Sequence, residues 1–254
     1  MNTTVIDVSS VQPLSHAEAM DLQAVELERT LELLQSLDES EWTTQTACPD
    51  WDIRQMYLHV LGACEAGASM RENVHQMRAA KKHQKTNGGP LEAGLSNVQV
   101  RERVDLSPTQ LIERQADIAP VTVRKRTKTP RLMRSVKMKI DGPVVESWSL
   151  GYLLGPIYLR DLWMHRVDTT QVTDHELVLS AEHDGRIVAD VVAEWARRHG
   201  QPFELTLTGP AGGTYAVPSS DGATEAIELD AIEFCLMLAG RRDATGLMTT
   251  IVPF

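Results

Sequence analysis

Apolar residues recur at spacings of two to four from Ser15 to Leu37, at Ala19, Leu22, Val25, Leu27, Leu31 and Leu34. That period predicts a first helix, with Ser15 as N-cap and Glu18 completing a capping box. The connector DESEWTTQTACPDWDIR leads into a second helix from Asp52 to Ala68, with Ile53, Met56, Val60, Leu61 and Cys64 on one face. A polar, charged stretch continues as helix to about Gln84 and breaks at Gly88, Gly89 and Pro90. Ser107 followed by Pro108 starts a third long helix that ends near Val123. A fourth runs from about Ser149 to Gln171, weakened early by Gly155 and Pro156.

After Asp174 the pattern changes. AEHDGRIVADVVAEWARRHG reads as an amphipathic helix with Ile187, Val188, Val191, Val192 and Trp195 inward and Gly200 as its stop. FELTLTG, GTYAV and ATEAIEL alternate as short strands. DAIEFCLMLAG adds a helix capped by Asp230 and ended by Gly240, and GLMTTIVPF reads as a final strand. Residues 1–14 read as a loose leader. The expected fold class is α+β: a helical bundle over residues 1–173 and a small C-terminal α/β domain over 174–254.

The chain has 254 residues, 42% hydrophobic and 24% charged, enough to bury a core without disulfides or a structural metal. A metal site in such a chain therefore points to function. The net charge of −10 argues against nucleic acid as a partner. Cys48, Cys64 and Cys235 form no C-x-x-C pair, which fits reduced thiols and a cytoplasmic location. No signal peptide and no apolar run of about 20 residues is visible, so no membrane partner is expected. Residues 124–139 hold eight basic residues and no acid. This run either steers an anionic ligand or forms a solvated loop face, and the second reading is the simpler. Lys81, Lys82, His83 and Lys85 read as solvated surface too.

The chemistry concentrates in RDLWMHRVD, Arg160 to Asp168. Asp161 and His165 are four apart and share a helix face, with Asp168 close to that face. A carboxylate and an imidazole at this spacing either form a hydrogen-bonded surface pair or grip one divalent cation. In the second case another helix supplies the next ligand. His59 is the candidate, because its helix is apolar around it; by itself it reads more simply as a satisfied core histidine. Two imidazoles and one carboxylate suit Zn²⁺ with an open position, and equally Fe²⁺ or Ni²⁺. Cys64, off the face of His59, reads as core.

PDWDIRQMYLHVLG (Pro49 to Gly62) and YLRDLWMHRVD (Tyr158 to Asp168) resemble the two signature segments of the mycothiol-dependent maleylpyruvate isomerase family. That family lies within the DinB-like superfamily of metal-binding four-helix bundles. HDGRIVADVVAEWARRHG and the run from FCLMLAGRRDATGL to VPF resemble its C-terminal domain. The resemblance implies a DinB-like four-helix bundle whose metal ligands fall on His59, Asp161 and His165. Asp161 stands where the family often has Glu, one methylene longer. Trp51 and Trp163 would pack around the site, and Arg166 or Asp168 would orient a ligand.

The same resemblance implies mycothiol as thiol cosubstrate and a small electrophile as the other partner. An adduct that is kept makes a thiol S-transferase; one that rotates and expels the thiol makes a cis–trans isomerase. An anionic electrophile calls for an arginine, and Arg241, just past the last helix, is the candidate, alongside Arg242. Basic residues at a helix C-terminus also favour the helix dipole with no further role. Two other readings stay open: a metal-dependent hydrolase on the same scaffold, and a non-catalytic ligand-binding protein. The sequence leaves the oligomeric state, the metal and the electrophile unnamed.

Overall fold

The computed structural model of the chain describes residues 4–140, 145–219 and 224–254. Gly142 and Pro143, which close the basic run, and Ala223 in the third strand motif lie outside them. The fold is α+β and divides into two compact units. One runs from His16 to His175. The other joins the residues before His16 to Glu176–Phe254.

The first unit is built on helix α1 (His16–Ser36), α2 (Ile53–Ala68), α3 (Met70–Asn87), α4 (Leu91–Arg101) and α5 (Pro108–Thr127). The signals that start them are local. Asp52 caps α2 and Ser107 caps α5, each in a reciprocal capping box with a glutamine three residues on, and Pro108 occupies the first helical position. Gly88 ends α3 at φ 75°, a left-handed conformation that glycine adopts without a Cβ clash. Leu27, Leu34, Ile53, Met56, Tyr57, Leu61, Leu111 and Leu162 are among the buried residues of one shared core.

Helix α4, which follows Pro90, was not foreseen. Helix α5 continues four residues past Val123, through Pro120. Pro120 and Ala116 are exposed, so the carbonyl that loses its helical partner meets solvent. The basic run is not a loop face. It forms the last turn of α5, the short α6 (Arg131–Arg134) and strand β2 (Lys137–Ile140), and Arg126 within it is buried. Strand β2 pairs antiparallel with β3 (Glu146–Ser149). The expected fourth helix is interrupted: α7 (Leu150–Tyr152) passes through a π turn, Leu153–Ile157, before α8 (Tyr158–Thr170). Gly155 and Pro156 lie in that π turn, whose wider hydrogen bonding accommodates a missing N–H.

The second unit holds a four-stranded sheet in the order β1-β5-β4-β6, with β1 (Val5–Asp7), β4 (Phe203–Thr208), β5 (Gly213–Val217) and β6 (Glu225–Asp230). β4 and β5 are antiparallel; β1 beside β5 and β6 beside β4 are parallel. β1 belongs to the stretch expected as a loose leader, and its pairing assigns it to this unit rather than to the helical residues up to 173. Helix α9 (Arg186–His199) buries all five predicted apolar residues and ends at Gly200 in the left-handed region. The Trp195 ring meets Phe203 at 4.7 Å and Phe234 of α10 (Ala231–Leu238) at 5.4 Å. The tail forms a 3₁₀ turn, Gly246–Thr249, not the expected strand. Its Leu247 carbonyl accepts the Trp195 indole N–H at 3.0 Å.

Candidate metal centre

Helices α2 and α8 present the donor groups. Tyr57 Oη lies 3.3 Å from the His165 carbonyl and 3.0 Å from Thr169 Oγ1, which itself donates to the same carbonyl at 2.8 Å. This buried bond fixes the two helices one turn from the site. The sequence reading missed Tyr57; a polar ring tip on the buried face of α2, two residues before His59, was the available signal. At the start of α2, Arg54 donates to the carbonyls of Leu106, at 2.6 and 3.1 Å, and Val104. These bonds tie the start of α2 to the loop before α5.

Against this frame the structure brings His59, Asp161 and His165 together. One donor atom from each lies within 4.8 Å of the other two. His165 Nε2 is 3.3 Å from Asp161 Oδ1, and His59 Nε2 is 3.9 Å from Asp161 Oδ2. A tetrahedral cation with bonds of about 2.0–2.2 Å spaces its donors by roughly 3.3–3.6 Å. The two imidazole–carboxylate separations come to within a few tenths of an ångström of that spacing. The two imidazoles stand nearly perpendicular, 88° apart with centroids at 5.8 Å. Trp51 stacks on His59 at 5.0 Å and 28°, so the ring is held on its face as well as at its root.

The donor set fits a cation in a second respect. Nε2 of His165, the ring nitrogen turned to Asp161, is buried without a hydrogen-bond partner. Buried polar atoms are satisfied in nearly all folded proteins, and a metal is one way to satisfy such a nitrogen. His165 is 5% exposed, while His59 and Asp161 retain 15% and 28%. The cluster is therefore walled on the His165 side and reachable from the Asp161 side.

The protein's own charges polarise the cluster. Burial disfavours a charged His165, but the carboxylates of Asp161 and Asp168 outweigh it and push the imidazole up to about 9. Burial also opposes ionisation of Asp161, and there the imidazoles of His165 and His59 prevail, holding the carboxyl well below its usual range. Asp168 is wholly buried, with Oδ2 3.6 Å from His165 Nδ1, on the opposite side of the ring from Asp161.

Cys48, in the turn before α2, forms a second three-donor group with His165 and Asp168. The sequence reading gave Cys48 no local role, because the turn and α8 are far apart along the chain. Cys64 is core: burial pushes its thiol up, and Gln115 Nε2 contacts its sulfur at 3.4 Å. Trp163 is fully buried, as expected of a packing residue. Arg166 turns to Glu26 of α1, with Nε donating to Oε1 at 2.6 Å. Arg241 belongs to the other unit. Its backbone N–H closes α10 on the Leu236 carbonyl at 2.8 Å, beside Gly240 at φ 72°. This is the Schellman end of a helix.

Residues 24–170, more than half of the chain, match the family described as the mycothiol maleylpyruvate isomerase N-terminal domain. The chain belongs to the mycothiol maleylpyruvate isomerase family. That is an enzyme family, and the matched residues include His59, Asp161 and His165. Two crystal structures of the mycothiol-dependent maleylpyruvate isomerase, one of a histidine-to-alanine mutant, share the fold. Each has a TM-score of 0.57 and 16% identity, covering 94% of this chain and 93% of the other. Comparison with curated proteins gives no match. Among the described residues no helix is long and apolar enough to cross a membrane.

Proposed function

We propose that this chain is a metal-dependent, mycothiol-using enzyme that readies a low-molecular-weight thiol for attack on a small electrophile. The outcome is S-transfer or a maleylpyruvate-type cis–trans isomerisation. The observation that carries the reading is the convergence of His59, Asp161 and His165 from two helices, inside the segment that matches the family. The helical unit is read as a DinB-like four-helix bundle made of α1, α2, α5 and α8, whose mutual packing supports it.

His59 and His165 offer Nε2, and Asp161 offers a carboxylate oxygen; three protein donors leave a coordination position for the cosubstrate. A divalent ion held there (zinc, nickel or iron) would lower the pKa of a coordinating thiol from about 8.5, so that thiolate would predominate at neutral pH. Asp168 Oδ2 stands 3.6 Å behind His165 Nδ1, where its charge favours a proton on that nitrogen and leaves Nε2 for the cation. Trp51 and the buried side of the cluster hold the rings and exclude water from one face. The partly exposed Asp161 edge is the side from which mycothiol and the electrophile enter.

The competing donor set, Cys48 with His165 and Asp168, is less suited to catalysis, because Asp168 is fully enclosed. Metal analysis of purified wild-type protein and of His59→Ala separates the two. The expected result is about one divalent ion per chain in wild type and less than a tenth of that in His59→Ala. Equal metal content in both would remove His59 from the ligand set. Mass spectrometry of S-conjugates formed with mycothiol then distinguishes a transferase from an isomerase, and activity that survives without mycothiol would favour the hydrolase reading.

A further inference from the structure

Helices α1 and α5 pack antiparallel. His16, the first residue of α1, bonds through Nε2 to the Arg126 and Thr127 carbonyls at the end of α5, at 3.1 and 3.3 Å. Between the two helices small residues, Ala24 on α1 with Ala116 and Pro120 on α5, leave a groove of about 400 Å³ floored by Leu27 and Leu31. Glu28 lines its α1 wall. Asp21, seven residues before Glu28, and Glu32, four after it, fall on the same helical face, and all three are exposed.

Past the end of α5 the chain turns at Pro130 into α6. There Leu132 is 82% exposed, Val136 54% and Met133 48%, an apolar knob on the surface. Lys125, Lys128 and Arg131, all exposed, lead up to it along the chain. Among the described residues, none of these three cations and none of Asp21, Glu28 and Glu32 forms an ion pair. An apolar knob with basic neighbours and an apolar groove with an acidic wall complement each other in shape and in charge. A surface that carries both can join its own copy about a two-fold axis. The chain's net charge of −10 argues against the other apolar and anionic partner, a lipid surface.

We propose that this chain forms a two-fold dimer in which Leu132, Met133 and Val136 of each copy fill the α1–α5 groove of the other. Asp21, Glu28 and Glu32 then face Lys125, Lys128 and Arg131 across the interface. All of these residues belong to the helical unit, and the pairing stands independently of metal and of mycothiol.

Sedimentation velocity of the full-length protein over a micromolar concentration range tests this. Wild type is expected to sediment as a dimer whose Kd rises severalfold at high salt. Leu132→Asp and Glu28→Lys alter exposed side chains, so each is expected to keep the wild-type circular dichroism and to raise the dimer Kd at least tenfold. Mixed in equal amounts, the two variants should associate more tightly than either does alone. The intact knob of one then meets the intact groove of the other, and the remaining contact pairs a new acid with a new base. A monomeric wild type, a Kd that neither substitution changes, or a mixture no tighter than its components overturns the proposal. So does a wild type that is monomeric alone and floats with anionic vesicles, since the occupant is then a membrane. Should one variant fail to fold, the Kd of the other decides.

Discussion

At the scale of single residues, the centre depends on groups that hold others in place. Glu26 and Arg166 form a fully buried pair between α1 and α8, joined by two hydrogen bonds of 2.6 and 3.1 Å. Arg166 is the next residue after His165, so this pair sets the rotation of α8 about its own axis. Removing one partner of a buried ion pair leaves the other in a medium that cannot solvate it, at a typical cost of about 3–5 kcal/mol. Glu26→Ala is expected to destabilise the protein by that amount in urea denaturation, and a loss below about 1 kcal/mol would show the pair to be incidental. The sequence made Asp161 and His165 visible through their spacing. It hid Arg126 among seven other basic residues, because nothing in a charge run says which member turns inward.

Among the elements, α2 is the most tightly specified. Its capping box fixes where it starts: Asp52 Oδ1 accepts from the Gln55 N–H at 2.7 Å, and Gln55 Oε1 accepts from the Asp52 N–H at 3.0 Å. Its middle is fixed by close approach to α4. A Cβ on Gly62 would fall 2.6 Å from Gln99 Cβ and 3.1 Å from its Cα, so α4 packs directly on the bare backbone. Gly62→Ala should force the helices apart and cost about 1–3 kcal/mol despite the better helix propensity of alanine. A thermal melt equal to wild type would contradict that packing. Gly62 lies three residues after His59, so the substitution also perturbs the donor cluster from behind. Sequence periodicity located α1, α2, α5, α8 and α9, whose apolar stripes are regular. It missed α4, whose buried face includes Gly94 and Gln99 in place of a regular apolar stripe, and the β2–β3 pair, whose short strands leave little hydrophobic pattern to read.

For the molecule as a whole, the N-terminal strand is the informative piece. Val5, Ile6 and Asp7 pair in parallel with Thr214, Tyr215 and Ala216, and the following 3₁₀ turn buries Val8. Parallel neighbours can be any distance apart in sequence, since no hairpin joins them. Deleting residues 1–11 would uncover one edge of β5. Amide exchange at Thr214 and Ala216 is expected to quicken at least tenfold, while metal content stays at the wild-type level because all three donors belong to the helical unit. Unchanged exchange at β5 would show that β1 adds nothing to the sheet.

Local chemistry determined much of this protein before any folding is considered. Caps, glycine stops and helical periodicity act within a few residues, so α2, α5, α9 and the Asp161–His165 pair are written in the sequence. The tertiary structure decided which distant groups meet. His59 reaches its two partners across about a hundred residues of chain, Tyr57 bolts α2 to α8, Arg126 turns into the interior, and β1 joins a sheet formed some two hundred residues later. Such encounters are set by packing between helices and by pairing between strands, whose energies depend on surfaces assembled only when the whole chain has folded.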